Sequence, residues 1–294
     1  MNQVREFYPQ PMLLGECPLW EPREAALYWI DIEGRAVHRY SEQSSRHAMW
    51  NLPSEPGCIA RATTGLVVAM RSGLALLDTS SGRLTPLLPA PFDGRQQRFN
   101  DGRCDARGRL WVGTIHEPRD GPRATLYRID GAQAIDAGLP VTVSNGLAFS
   151  PDYRILYHAD TTAHAIRAYD FDLDAGRVVG LNRVLRQFDT QRGPGYGGRP
   201  DGAAVDTEGA YWVAMYEGGR ILKLAPDGRE LAEFPLPVRC PTMVAFGGAD
   251  MQTLFITSAS VNRPTEELRD LPSSGKVLQM RVDVPGCAEP LFRH

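Results

Sequence analysis

Short apolar runs recur along the chain in pairs, and the second member of each pair is the clearer one. It reads Leu27-Tyr-Trp-Ile-Asp31, Leu66-Val-Val-Ala-Met70, Leu110-Trp-Val-Gly-Thr114, Leu156-Tyr-His-Ala-Asp160, Tyr211-Trp-Val-Ala-Met215 and Leu254-Phe-Ile-Thr-Ser258. The starts lie 39, 44, 46, 55 and 43 residues apart. Short β-branched and aromatic runs bounded by turn residues specify strands. Their fixed period signals a radial or stacked array, not a single sheet around one core.

Polar clusters such as Asp105-Ala-Arg-Gly108 and Asp206-Thr-Glu-Gly209 precede the second strands as hairpin turns. Third strands are expected at 36–40, 74–78, 125–130, 165–170, 220–225 and 276–282. Fourth strands are expected at 47–52, 84–89, 183–188 and 230–236, with a weak one at 134–136. Four antiparallel strands per ~40–50 residues make a propeller blade. The fold class is therefore all-β: a six-bladed β-propeller of four-stranded blades around a central channel, one domain over residues 1–294. The sixth repeat ends irregularly at 285–290, and residues 4–8 are expected to supply its fourth strand. Closing the ring this way leaves no free sheet edge.

Composition narrows the picture. Hydrophobic residues make up 43% and charged residues 23%, so the chain is not disordered. The net charge of −3 comes without a basic stripe, which argues against nucleic acid as a partner. Five cysteines, widely spaced and without a C-x-x-C, are read as reduced and mostly buried, which suits a cytoplasmic protein. Residues 1–7 lack the pattern of a secretory signal. No apolar stretch approaches the ~20 residues of a membrane helix, so no membrane partner is expected. A monomer or weak homo-oligomer is the expected state.

Phase locates the chemistry. The segments leading into the innermost strands are Gly15-Glu-Cys-Pro-Leu-Trp20, Pro56-Gly-Cys-Ile59, Arg98-Phe-Asn-Asp-Gly102, Ser144-Asn-Gly-Leu147, Pro200-Asp-Gly-Ala203 and Pro241-Thr-Met243. Four of the six carry an acid or amide at one phase: Glu16, Asn100 or Asp101, Asn145 and Asp201. Asn-Gly and Asp-Gly are also common turn dipeptides, which is the plainer reading of each one alone. Together they would crowd carboxylates into one channel, where like charges repel and a proton or a cation must relieve them. Carboxylate and amide oxygens are hard ligands, suited first to Ca²⁺, Mg²⁺ or Mn²⁺, with Zn²⁺ open to carboxylates as well. Such a cation polarises a carbonyl, and a carboxylate beside it can take a proton from water.

At these residues the chain resembles the family that joins gluconolactonase, regucalcin (the senescence marker protein) and the luciferin-regenerating enzyme. The matching pieces run from about Leu14 to Ser260 and include Tyr28-Trp-Ile-Asp31, Gly108-Arg-Leu-Trp-Val-Gly-Thr114 and Ser144-Asn-Gly-Leu-Ala-Phe-Ser-Pro151. The resemblance implies a six-bladed propeller with one divalent cation, Ca²⁺ first, and hydrolysis of a sugar lactone in carbohydrate catabolism. It implies that Glu16, Asn145 and Asp201 bind the metal and that Asp201 doubles as general base. It places Asn100 beside metal and substrate, with Arg98 holding a substrate hydroxyl or the developing oxyanion. The repeat alignment alone leaves Asn100 and Asp101 open; the family pattern favours Asn100.

One departure concerns the sugar. Where the animal lactonases of the family place a substrate-contacting glutamate, this chain has Pro118, one after Glu117. His116, Glu117 and Arg119 are therefore candidates for a different substrate-binding set, against the plainer reading of a solvated loop. The glycine-rich loop 189–199 is either an exposed insertion or a lid, with Tyr196 or Arg199 touching substrate. An aryl-ester or organophosphate hydrolase, and a non-catalytic calcium-binding propeller, are the alternative functions.

Overall fold

The alternation of turns and apolar runs folds as a meander, each strand pairing with the next in sequence. In the computed structural model, which describes residues 3–293, six four-stranded antiparallel sheets close into a ring. Blade 1 comprises Gly15–Glu21, Ala26–Asp31, Ala36–Ser41 and Arg46–Asn51, paired in that order. The innermost strands of blades 2 to 6 are Pro56–Arg61, Gln97–Cys104, Ser144–Phe149, Arg199–Val205 and Pro241–Gly247. The weak strand of blade 3 is real, Gln133–Asp136, and the fourth strand of blade 4 is longer than expected, Arg177–Gln187.

The N-terminus closes the ring as anticipated. Arg5–Tyr8 pairs antiparallel with Val277–Arg281 and forms the outer edge of blade 6. A short helix, Thr265–Asp270, interrupts blade 6 and buries none of its residues. Its six residues are too few to carry the amphipathic period by which helices are read from sequence.

Burial explains why the second strands read as continuous apolar runs. Each inner strand is covered on both faces by neighbouring blades, so Ala26–Asp31 and Pro241–Gly247 are buried throughout. The outer strands Arg46–Asn51 and Glu230–Pro235 show alternating exposure instead. Trp29, Trp111 and Trp212 are buried between blades. Asp105 and Asp206 hold the hairpin turns, accepting backbone N–H groups and the indole N–H of Trp111 and Trp212 at 2.9 Å each.

The C-terminal tail crosses the base of the ring. Gly286 bridges to Asp206 of blade 5, Phe292 bridges to Ala62 of blade 2, and the Arg293 N–H donates to the Gly108 carbonyl of blade 3. Phe292 is buried there, which stabilises the closure by roughly 1.5–3 kcal/mol.

Candidate functional site

Every innermost strand breaks register at the phase where the polar residues stand. The shifts fall between Glu16 and Leu19, Pro56 and Cys58, Asn100 and Gly102, Asn145 and Ala148, Pro200 and Ala203, and Pro241 and Met243. A bulge re-aims a side chain away from the pleat. Cys17, Asp101 and Gly146 take the left-handed conformation at three of these bulges, with φ of 47°, 51° and 58°. The glycines beside the polar residues are therefore not hairpin turns but sites of close strand approach. A Cβ on Gly146 would lie 2.3 Å from the Tyr211 hydroxyl oxygen, and one on Gly202 would lie 2.3 Å from Cγ of Met243.

The bulges open onto a cavity of about 480 Å³ at one end of the channel. Glu16, Arg98, Asn100, Asn145 and Asp201 all line it. The two residues that the repeats could not separate have different roles. Asn100 faces the cavity, whereas the Asp101 carboxylate is spent on the backbone, accepting the Gly102 N–H at 2.7 Å and the Leu147 N–H at 2.9 Å. A polar chain links the amides. Arg98 Nη1 donates to Asn100 Oδ1 (2.7 Å), and Asn100 Nδ2 donates to Ser144 O (2.8 Å) and Asn145 Oδ1 (3.1 Å). Asn145 Nδ2 donates to the Thr161 hydroxyl, which donates to Pro200 O, each at 2.8 Å. The chain orients the Asn145 amide and leaves its oxygen with one lone pair to spare.

The carboxylates are short of partners. Among the described residues Glu16 Oε2 accepts only the Cys17 N–H, at 3.0 Å. Burial pushes the Glu16 carboxyl well above the usual range, and the nearby Asp201 and Asp101 charges add to the shift. Burial likewise raises Asp201, to about 8; Arg199 opposes the shift, and Asp101 reinforces it. Two buried acids driven toward protonation mark a place where positive charge is missing. Among the described residues no three of His, Cys, Asp and Glu gather as a metal cluster. The donors here are instead two carboxylates and an amide, all hard oxygens, and they fit a hard divalent cation.

Two sequence candidates do not join the site. His116 is buried, but its Nε2 pairs with Asp120 at 2.6 Å, and it does not line the cavity. Glu117 is clamped by both Nη atoms of Arg71, at 2.9 and 2.7 Å, and reaches Arg98 Nε only at 3.9 Å. His116 ends the strand Leu110–His116 and Glu117 opens the turn after it, and of that trio Arg119 alone lines the wall. The glycine-rich loop is split in the same way. Arg199 lines the cavity, while Tyr196 turns away to bond His164 Nε2 through its hydroxyl at 2.7 Å. Thr161, Glu217 and Arg263 also line the cavity, though they stand outside the phased segments and gave no repeat signal.

Fold and site together define a class: a six-bladed propeller whose channel ends in a charged cavity with a carboxylate floor. The chain belongs to the SMP-30/Gluconolactonase/LRE-like family, whose pattern matches residues 14–260. It is 49% identical, over 96% of each chain, to a 6-deoxy-6-sulfogluconolactonase from Pseudomonas putida. It is 32% identical to a pentonolactonase from Haloferax volcanii, over 95% of this chain and 94% of the relative. A solved structure from Agrobacterium tumefaciens, described as a calcium-binding protein, regucalcin, superposes with a TM-score of 0.93 at 28% identity. That superposition covers 100% of this chain and 98% of the other.

Proposed function

We propose that the chain hydrolyses a sugar lactone, with Glu16, Asn145 and Asp201 holding one divalent cation and Asp201 acting as general base. The observation that carries this reading is the pair of buried, under-bonded carboxylates converging with Asn145 on one cavity. The two lactonase relatives support the reaction class, and the regucalcin structure supports Ca²⁺ ahead of Zn²⁺, Mn²⁺ or Mg²⁺. A bound cation supplies electrostatic stabilisation of negative charge developing on the carbonyl oxygen.

The protein's own groups do the rest. Asp201 has carboxylate capacity to spare, since among the described residues its one hydrogen-bond donor is the Gly202 N–H, and it takes the proton from an attacking water. The water oxygen bonds the lactone carbon, the ring C–O bond breaks, and the ring oxygen leaves as a hydroxyl after receiving the proton that Asp201 took from the water. Arg98 is buried and pinned by Phe99 O at 3.0 Å and Asn100 Oδ1 at 2.7 Å, so its remaining N–H groups are pre-aimed at substrate oxygens. Asn100, held by Ser144 O, keeps that guanidinium and Asn145 in register.

A more specific substrate follows from the first relative's name and from the basic wall described below: an aldonolactone bearing an anionic group at C6. The test of the reaction is lactone hydrolysis with and without a chelator, followed by restoration with Ca²⁺. Full activity in chelator sinks the cation-assisted reading. Phenyl acetate outrunning every sugar lactone in kcat/KM replaces it with an ester hydrolase.

A further inference from the structure

Above the carboxylate floor, the cavity wall is made of arginines. Arg98, Arg119, Arg192, Arg199 and Arg263 line it, with Glu217 as the acid outside the floor. Three of the five converge on that acid, which lies 3.3 Å from Arg192, 2.9 Å from Arg199 and 3.3 Å from Arg263. Behind the wall, Glu267 accepts from Arg263 Nε at 2.7 Å. With both acids counted, the three arginines still keep one surplus positive charge. Arg119 adds another, since it has no ion-pair partner among the described residues.

The donors are not used up. A guanidinium has five N–H groups. Arg199 gives Nη1 to Glu217 and stacks over the Tyr216 ring at 4.9 Å; its other N–H groups make no hydrogen bond among the described residues. Yet its side chain is only 15% exposed. Arg192 comes from the glycine-rich loop but is held in place. It stacks over Tyr196 at 5.8 Å, and Tyr196 is anchored to His164. Elsewhere among the described residues an acid gathers at most two arginines, as Glu55 does with Arg35 and Arg71 and Glu21 with Arg23 and Arg61; three meet on one acid only at Glu217.

We propose that Arg192 and Arg199, gathered with Arg263 by Glu217, form a subsite for a tetrahedral oxyanion carried by the substrate, a sulfonate or a phosphate ester. The inference rests on the lactonase reading and assigns residues to its specificity. Guanidinium forks match such oxyanions bidentately, and a wall with surplus charge and unspent donors is complementary to them. The floor orients the lactone carbonyl, and the wall selects for what the sugar carries at its far end.

The test compares kcat/KM for three substrates: glucono-δ-lactone, its 6-phosphate and its 6-deoxy-6-sulfonate. Both anionic lactones are expected to exceed the neutral one by about tenfold or more in the native protein, the scale of one or two charge-assisted hydrogen bonds. That ratio is expected to fall about tenfold in Arg192→Ala and further in Arg192→Glu, with Arg192→Lys between native and Ala. Arg192 is 59% exposed, so these variants are expected to fold, and melting temperatures check it. Preference for one anion supports the subsite and identifies its source. A native ratio near one, or a ratio unmoved by Arg192→Glu, overturns it. Failure to hydrolyse any lactone overturns the lactonase reading instead. Calorimetry then decides the subsite: 6-phosphogluconate must bind the native protein at least about tenfold tighter than gluconate, and Arg192→Glu must abolish that difference.

Discussion

The innermost strand of blade 3 carries one arginine to each end of the channel, and the two meet opposite conditions. Arg103, at the base, has all three of its nitrogens engaged. It donates to Leu147 O at 2.9 Å and Ala203 O at 2.6 Å, and pairs with Glu289 of the C-terminal tail. It thus ties blades 3, 4 and 5 to the tail. Arg98, at the mouth, donates to Phe99 O and to one amide oxygen, with its nearest carboxylate at 3.9 Å. The two side chains are equally enclosed, each 10% exposed. Burial is therefore not what separates them. Satisfaction is: the base spends its polar groups on the fold, and the mouth leaves them for a ligand.

The contrast is broken most sharply by the floor carboxylate. Asp201→Asn removes the proposed base, and kcat/KM for lactones is expected to fall about 10²–10⁴-fold. Thermal stability is expected to hold or rise, because the substitution removes a buried acid under like-charge stress. A large loss of melting temperature would mean that the mouth is as structural as the base. Arg103→Ala is the counterpart. It leaves the half-buried Glu289 and two carbonyls without their donor, a loss of about 1.5–3 kcal/mol for hydrogen bonds from a charged group. Urea denaturation reads that loss, and the folded protein is expected to keep its lactone turnover.

Acid–base behaviour sharpens the comparison on a smaller scale. In metal-free protein Asp201 keeps its proton up to about 8, whereas the unfolded chain loses it near the ordinary 3.8. Between these values the folded state binds more protons, so stability falls as pH rises through that window. Glu16 shifts in the same direction and adds to the slope. With the proposed cation site at these carboxylates, saturating Ca²⁺ is expected to flatten or reverse the slope. Melting curves from pH 4 to 8, with chelator and with Ca²⁺, check the sign. A chelated protein that gains stability toward pH 8 would contradict the shifted pair.

How much of this was legible follows the same division between repeated and unrepeated positions. Six apolar runs at one spacing announced the blades, because a buried inner strand must be apolar on both faces. The phase of Glu16, Asn100, Asn145 and Asp201 announced the floor, because a bulge recurs at each lead-in. Asp101 against Asn100 was not decidable from spacing. The bulge gives one residue to the cavity and the other to backbone N–H groups; the family pattern favoured Asn100 as the facing one, and Asn100 lines the cavity. His116 and Glu117 sat in a polar loop close to the strand end, but Asp120 and Arg71 claim them. Arg263 and Glu217 were invisible, since they lie outside the phased segments and meet only when blades 5 and 6 pack side by side.

Thr161 gives the smallest and most local test. It follows the second strand of blade 4, where nothing in the repeat marks it. Its hydroxyl accepts from Asn145 Nδ2 and donates to Pro200 O, the residue before Asp201. It therefore couples two of the three floor residues across neighbouring blades. Thr161→Val keeps the shape and removes both hydrogen bonds, which leaves the Asn145 amide to be oriented by the Asn100 Nδ2 bond at 3.1 Å. The cost is about 1 kcal/mol per bond, which corresponds to roughly five- to thirtyfold weaker Ca²⁺ binding by calorimetry. Excess Ca²⁺ is expected to restore lactone turnover in this variant and not in Asp201→Asn. A variant that binds Ca²⁺ normally but turns over slowly would place Thr161 in substrate positioning, and the floor would then rest on the carboxylates alone.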